Sequence, residues 1–258
     1  MTTKQWIAVV IGVVSVGLIA TGVWLSSEKT GEPSALTSTT TPVASTSTPQ
    51  AGVVVNLPFP INAADTIASW SFKGNYSGND TLTKQANTDI AFLTNLLGKG
   101  KYPDYDLYNG IGNDYASLGD GKTAYAEYDR AIALGPKGDL VYANLAQLMQ
   151  KLGAYHTAAD AYKKAVTVEP GMMAYHVARL TFLTEQFGTD NALILAAFTD
   201  ASKQFGDAAP ILTIEAQWLT SQHRYADAIK AWQKVKALSV GKDTSSIDTE
   251  IARIQAKQ

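Results

Sequence analysis

One short stretch of the sequence has residues that could belong to a phosphate-binding loop. LGDGKT at 118–123 ends in Gly-Lys-Thr, the last part of such a loop. A complete loop has another glycine five residues before the second one, and it follows a β-strand. Ala116 stands at that position, and the residues before it have the spacing of a helix. The sequence therefore predicts no nucleotide binding.

Residues that could hold a metal or act in catalysis are few and scattered. His156, His176 and His223 have no metal-ligand spacing such as His-Glu-x-x-His, and the chain has no Gly-x-Ser-x-Gly elbow. Cysteine is absent, which excludes thiolate catalysis, disulfides and cysteine-ligated zinc. We predict no catalytic residue, no metal and no cofactor. The alternative is an enzyme whose site is assembled across distant segments.

Composition limits the partners that we expect. The chain has 258 residues, of which 46% are hydrophobic, and a formal net charge of −2. This length suits one folded domain with appendages, and the hydrophobic content allows a sizeable core. A nearly neutral chain gives no reason to expect nucleic acid as a partner.

The segment 6–25 has twenty residues without a charge. As a helix it would be about 30 Å long, which matches the hydrocarbon thickness of a bilayer. The alternative is a cleaved signal peptide, but its apolar run is usually about 7–15 residues and is followed by a small-x-small cleavage site. We predict an uncleaved transmembrane helix after a tail at 1–5. Lys4 favours a cytoplasmic N-terminus, which would place the rest of this single-pass protein on the extracytoplasmic side.

The next segment, 26–60, is predicted to be a disordered linker. Between 33 and 49, 13 of 17 residues are Ser, Thr or Pro. Such a composition has too little apolar surface to offset the entropy of ordering. Beyond it, the extension at 61–104 contains Trp70 and Phe72. These aromatics are interpreted as packing on the first helices, and a ligand anchor is the alternative.

Two adjacent stretches repeat one pattern 34 residues apart. Small residues in it would let two helices approach closely, glycine suits the turn between them, and proline ends the second helix. Each stretch therefore predicts a helix–turn–helix unit, and LGDGKT is the turn of the first. The matching pairs are Tyr108 with Tyr142, Ile111 with Leu145, Gly119 with Gly153, Ala124 with Ala158, Tyr128 with Tyr162, and Pro136 with Pro170.

This length and pattern resemble the tetratricopeptide repeat (TPR). The resemblance covers about 105–240, and only its first two units are highly specific. It implies an all-α fold, a TPR-type α-solenoid of about four repeats. Their predicted bounds are 105–138, 139–172, 173–208 and 209–240, with a one-residue slip that leaves the alignment of the third open. A leading helix within 61–104 and a final helix at 244–257 are predicted to cap the two ends.

The resemblance also implies a ligand site on the first helix of each repeat. Asn113 and Asn144 fall where the family commonly places asparagines that hydrogen-bond a ligand's backbone. On one alignment Arg179 falls where a family subset has a basic residue that binds a ligand's terminal carboxylate. The two lysines of that subset are absent, and Asn109 stands in one of their places. The predicted groove also includes Gln147, Gln150 and Lys151. The alternative is that these are exposed family-consensus residues without a ligand.

Together these features predict a membrane-anchored TPR adaptor or scaffold. It would bind a protein or peptide partner on the extracytoplasmic side, in envelope assembly or secretion. The alternative is a structural component of the cell envelope that assembles with itself. The sequence leaves the oligomeric state open.

Overall fold

Ten helices form most of residues 59–135 and 140–257, which are the residues that the computed structural model describes. They are α1 (Asp80–Leu96), α2 (Asp104–Leu118), α3 (Gly121–Ala133), α4 (Leu140–Lys151), α5 (Tyr155–Val168), α6 (Met173–Gln186), α7 (Asn191–Phe205), α8 (Ala209–Ser221), α9 (Tyr225–Leu238) and α10 (Ser245–Gln255). The described residues contain no β-strand beyond a single bridge between Ser71 and Asp120. The predicted all-α class is confirmed.

Helices α2 to α9 pack in pairs as four hairpins. The first helices of the hairpins are α2, α4, α6 and α8, and the second helices are α3, α5, α7 and α9. Each second helix also packs on the first helix of the next hairpin, α1 packs on α2, and α10 packs on α9. This arrangement is a linear array of helical hairpins with one further helix at each end, as repeat proteins require.

Small residues bring the two helices of a hairpin together. Ala124 and Ala158, on the second helices of the first two hairpins, are fully buried. A Cβ on Gly112 would lie only 2.6 Å from Cε1 of Tyr128, so only glycine leaves room for that ring. These close contacts explain the repeated small residues in the sequence.

A left-handed residue lies in the turn of three hairpins. Gly119 has φ 89° and Gly153 has φ 76°, the region where glycine has no steric penalty. His223 has φ 57° and lies in the turn between α8 and α9. In the LGDGKT stretch, Gly119 ends α2, and Asp120 begins α3 by accepting a hydrogen bond from the backbone N–H of Thr123 at 3.0 Å.

Residues 59–79, which we call the strap, run across the first two hairpins. The strap pairs by backbone hydrogen bonds with the turn between α2 and α3: the Phe72 N–H donates to Gly119, and Trp70 accepts from Gly121. The Trp70 ring also packs on Tyr125 of α3, with ring centroids 5.3 Å apart. The predicted packing of this aromatic on the helices is therefore confirmed.

The strap also caps α5. The residue before that helix is Ala154, which offers no side-chain acceptor to the free N–H groups. Asp65 of the strap accepts instead, from the backbone N–H groups of Thr157 at 2.6 Å and His156 at 3.1 Å. Burial alone would raise the pKa of Asp65, but the hydrogen bonds from Thr157 and His156 hold that pKa below its usual value.

We expect Asp65→Ala to lower the free energy of unfolding by about 1–2 kcal/mol, because it leaves the start of α5 uncapped. Urea unfolding would measure this. The control is Asp190→Ala, which removes the cap of α7, where Asp190 accepts from the Leu193 N–H at 3.0 Å and makes no contact with the strap. Both variants should lose stability, but only Asp65→Ala should speed proteolytic cleavage within the strap. Equal cleavage rates in the two variants would contradict this role.

The localisation predicted from the sequence is corrected by the structure. Among the described residues, no helix has the length and apolar character needed to cross a bilayer. The longest, α1, has 17 residues, short of the roughly 20 that a span requires. This finding contradicts the prediction of a single-pass membrane protein with an extracytoplasmic repeat domain. The segment at 6–25 and the linker as far as residue 58 lie outside the described residues.

Candidate functional site

Five amide side chains lie on the first helices of the first two hairpins, and we call them the amide row. Helix α2 contributes two of them, one turn apart, and α4 contributes three at intervals of three residues. The members are Asn109, Asn113, Asn144, Gln147 and Gln150. Residues at these intervals share one helix face, and α2 and α4 contact each other. The predicted asparagines are therefore on neighbouring helices.

Two members of the amide row join the two hairpins. The Asn144 Nδ2 donates to Asn109 Oδ1 at 3.0 Å, and the two side chains are buried. Within the described residues, the Asn109 Nδ2 and the Asn144 Oδ1 make no other hydrogen bond. The pair therefore leaves one donor and one acceptor without a protein partner.

Tyrosines from the second helices hold two more members in place. The Tyr128 hydroxyl donates to Asn113 Oδ1 at 2.7 Å, and the Tyr162 hydroxyl donates to Gln150 Oε1 at 3.5 Å. Burial raises the pKa of both tyrosines, so they remain protonated donors. Because the amide oxygens accept these bonds, the NH₂ groups of Asn113 and Gln150 are left as donors.

Lys151 was predicted to belong to the groove, and the structure joins it to the strap. Its Nζ donates to Asn75 Oδ1 at 3.3 Å and lies 5.5 Å from the centre of the Phe72 ring. Burial lowers the pKa of Lys151. This ammonium therefore contributes to holding the strap on the second hairpin.

Arg179 is buried and paired within the third hairpin. Its Nη1 donates to Asp200 Oδ2 of α7 at 2.9 Å. Only 4% of the arginine side chain is exposed, whereas 54% of the aspartate side chain is. Ligand binding by Arg179 stays a prediction.

No group of three potential ligands that could hold a metal is found in the part of the chain that the structure describes. The histidines are engaged separately. His156 Nδ1 lies 3.0 Å from Asp65, His176 Nε2 lies 3.1 Å from the Pro170 carbonyl oxygen, and His223 Nδ1 lies 2.7 Å from the Tyr225 hydroxyl.

One buried acid was missed by the sequence analysis. Asp129 of α3 is 4% exposed, and neither carboxylate oxygen has a hydrogen-bond partner in the described structure. Burial raises the pKa of Asp129 to about 7. The sequence contains one indication that Asp129 is buried. It follows the core residue Tyr128 in a helix with apolar residues on neighbouring turns.

Comparison with known proteins identifies similar folds. No family model matches the chain, and no curated protein matches it. Among solved structures, MamA is 13% identical over 70% of this chain and 98% of that chain, with a TM-score of 0.49. The C-terminal part of a TPR repeat-containing protein from Cytophaga hutchinsonii is 17% identical over 62% of this chain and 63% of that chain, with a TM-score of 0.48. The TPR2AB domain of yeast Sti1, in complex with pHSP90, is 16% identical over 69% of this chain and 81% of that chain, with a TM-score of 0.35.

Proposed function

We propose that this chain is a protein-interaction scaffold that binds an extended peptide along the amide row. The observation that carries the proposal is the buried pair Asn109–Asn144, which keeps one donor and one acceptor unused. Neither atom is among the buried, unpartnered polar atoms of the described residues, so both reach the surface of the pair, where a ligand can contact them.

The chemistry of the row suits a peptide backbone. An extended peptide presents N–H and C=O groups at regular intervals and can donate and accept at once. The row offers NH₂ donors from Asn109, Asn113 and Gln150, and an acceptor from Asn144. None of these groups carries a charge. Selectivity for particular side chains of the peptide would therefore come from contacts beside the row. The TPR resemblance of the sequence supports the same location.

We expect Asn144→Ala to weaken peptide binding by about 1–2 kcal/mol, or roughly 5–30-fold in Kd, because a buried hydrogen bond is lost. Peptides selected from a displayed library for binding to the full chain would serve as probes. Their Kd would be measured by fluorescence anisotropy. Asn87→Ala, on an exposed face of α1, is the matched control and should leave Kd unchanged.

Circular dichroism would check that each variant keeps its helices. The double variant Asn109→Ala/Asn144→Ala removes both members of the pair and leaves neither with an unmade bond. If the double variant bound the selected peptides as well as the natural chain does, the site would not be the amide row.

A further inference from the structure

The strap occupies a furrow between two second helices, α3 and α5. The Phe59 ring packs on Tyr142 of α4, with centroids 5.9 Å apart, and its carbonyl oxygen accepts from the Tyr125 hydroxyl of α3 at 2.7 Å. Further along, the Asn62 Nδ2 donates to Asp160 Oδ2 of α5 at 2.8 Å. The array therefore already holds a non-helical segment between successive second helices, with a first helix beneath it.

The next furrow, between α5 and α7, contains a cavity of about 440 Å³. Residues from three helices line it: Lys163 of α5, His176 of α6, and Lys203 and Gln204 of α7. Its construction matches that of the strap furrow, since two second helices form the sides and a first helix lies between them. The cavity is large enough for a side chain or two of an extended peptide.

The charges around this cavity are predominantly positive. Lys163 and Lys203 are exposed and form no ion pair with any described residue. Asp200 also lines the cavity, but the buried guanidinium of Arg179 neutralises it at 2.9 Å. Two uncompensated ammonium groups therefore remain, which attract an anionic group.

A buried imidazole lies in the wall of the same cavity. His176 is 3% exposed, and its Nδ1 has no hydrogen-bond partner in the described structure. Burial lowers the pKa of His176, and the charge of Arg179 lowers it further, whereas the Pro170 carbonyl and Asp200 act in the opposite direction. A carboxylate bound in the cavity would act against this lowering and favour the protonated imidazole.

We propose that the α5–α7 furrow is a second binding site, which takes an acidic side chain from an extended segment of a partner protein. The strap furrow shows the mode of binding, and the two free lysines give the selectivity for carboxylate. This site is separate from the amide row and does not depend on the function proposed for that row.

Two synthetic peptides test the proposal on the full chain. Acetyl-FPEPET-amide carries two glutamates after the Phe-Pro pair with which the described strap begins, and acetyl-FPQPQT-amide is its neutral counterpart. We expect the acidic peptide to bind at least about tenfold more tightly than the neutral one. The variant Lys163→Gln/Lys203→Gln should remove this preference. Lys164→Gln is the matched control, because the Lys164 ammonium instead lies 5.8 Å from the Tyr142 ring centre, and it should retain the preference.

Two further measurements separate this site from the amide row. NMR titration of the His176 imidazole should show its pKa rising when the acidic peptide binds, and Asn109→Ala/Asn144→Ala should bind that peptide normally. The proposal is overturned by equal affinity for the two peptides, by no detectable binding of the acidic peptide at about 1 mM, or by an unchanged preference in the double lysine variant. An unmoved His176 titration would also overturn it.

Discussion

Replacing Gly119 with alanine is expected to lower the free energy of unfolding by about 3–4 kcal/mol and to detach the strap from the first hairpin. Gly119 has φ 89°, which costs alanine about 1–2 kcal/mol. The new Cβ would also lie 2.2 Å from the Phe72 carbonyl oxygen and 3.0 Å from the Gly74 nitrogen. Both neighbours are backbone atoms, so the clash can be relieved only by moving the strap.

The second hairpin supplies a matched control for this substitution. Gly153 falls 34 residues later, at the equivalent turn, with φ 76° and no atom within 4 Å of the added Cβ. Gly153→Ala should therefore cost only the roughly 1–2 kcal/mol of its backbone conformation. Urea unfolding and limited proteolysis of the strap would measure the difference. Similar losses in the two variants would mean that the strap does not press on Gly119.

Replacing Asp129 with asparagine is expected to stabilise the protein by about 2 kcal/mol at pH 8 and to lose that gain by pH 5. Burial raises the pKa of Asp129 to about 7, above the roughly 3.9 of an unfolded chain. The folded state therefore binds this proton more tightly, so the carboxyl destabilises the fold at high pH, and this effect fades as pH falls. The difference between the two pKa values corresponds to at most about 4 kcal/mol, and the unpaired amide of asparagine offsets part of the gain.

Other groups also contribute to the pH dependence of the natural chain. Burial, with the charge of Asp89, raises the pKa of Asp114 to about 7 and acts in the same direction. His176 has a lowered pKa, so its contribution to stability is lost as the pH falls below the pKa of a histidine in the unfolded chain. The lowered pKa of Asp65 affects stability only in more acidic solution. The difference in the free energy of unfolding between Asp129→Asn and the natural chain isolates the contribution of Asp129. Urea unfolding at intervals from pH 5 to 8 should give free energies of unfolding for the variant and the natural chain that converge towards low pH. A difference that stays constant with pH would exclude the Asp129 carboxyl as its cause.

The hairpins could be predicted because their signals are local. The periodic small residues and tyrosines of the first two units place α2 to α5, and the turn glycines lie where the repeat pattern put them. The slip in the third unit also has a local cause. Its turn runs from Phe187 to Asp190, one residue longer than the turn from Leu152 to Ala154 in the second.

The strap and the details of the site could not be predicted because they depend on distant contacts. Nothing near Asp65 in the sequence indicates that it caps a helix starting some 90 residues later. The positions of Asn109 and Asn144 on first helices followed from the repeat pattern, but their mutual hydrogen bond depends on how the two hairpins pack. Arg179 illustrates the same limit, because its partner Asp200 lies 21 residues away on the other helix of the hairpin.

The strap changes how the array should unfold. Arrays of hairpins are held mainly by neighbouring contacts, so their ends can open independently of the rest. The strap joins residues up to 98 positions apart, such as Asn62 and Asp160, and links the first two hairpins to each other. These two hairpins should therefore exchange their amide hydrogens as one cooperative block. The third and fourth, which lack such a link among the described residues, form the more readily opened half. Closing so long a loop is slow, so the block would complete its folding after the individual hairpins have formed.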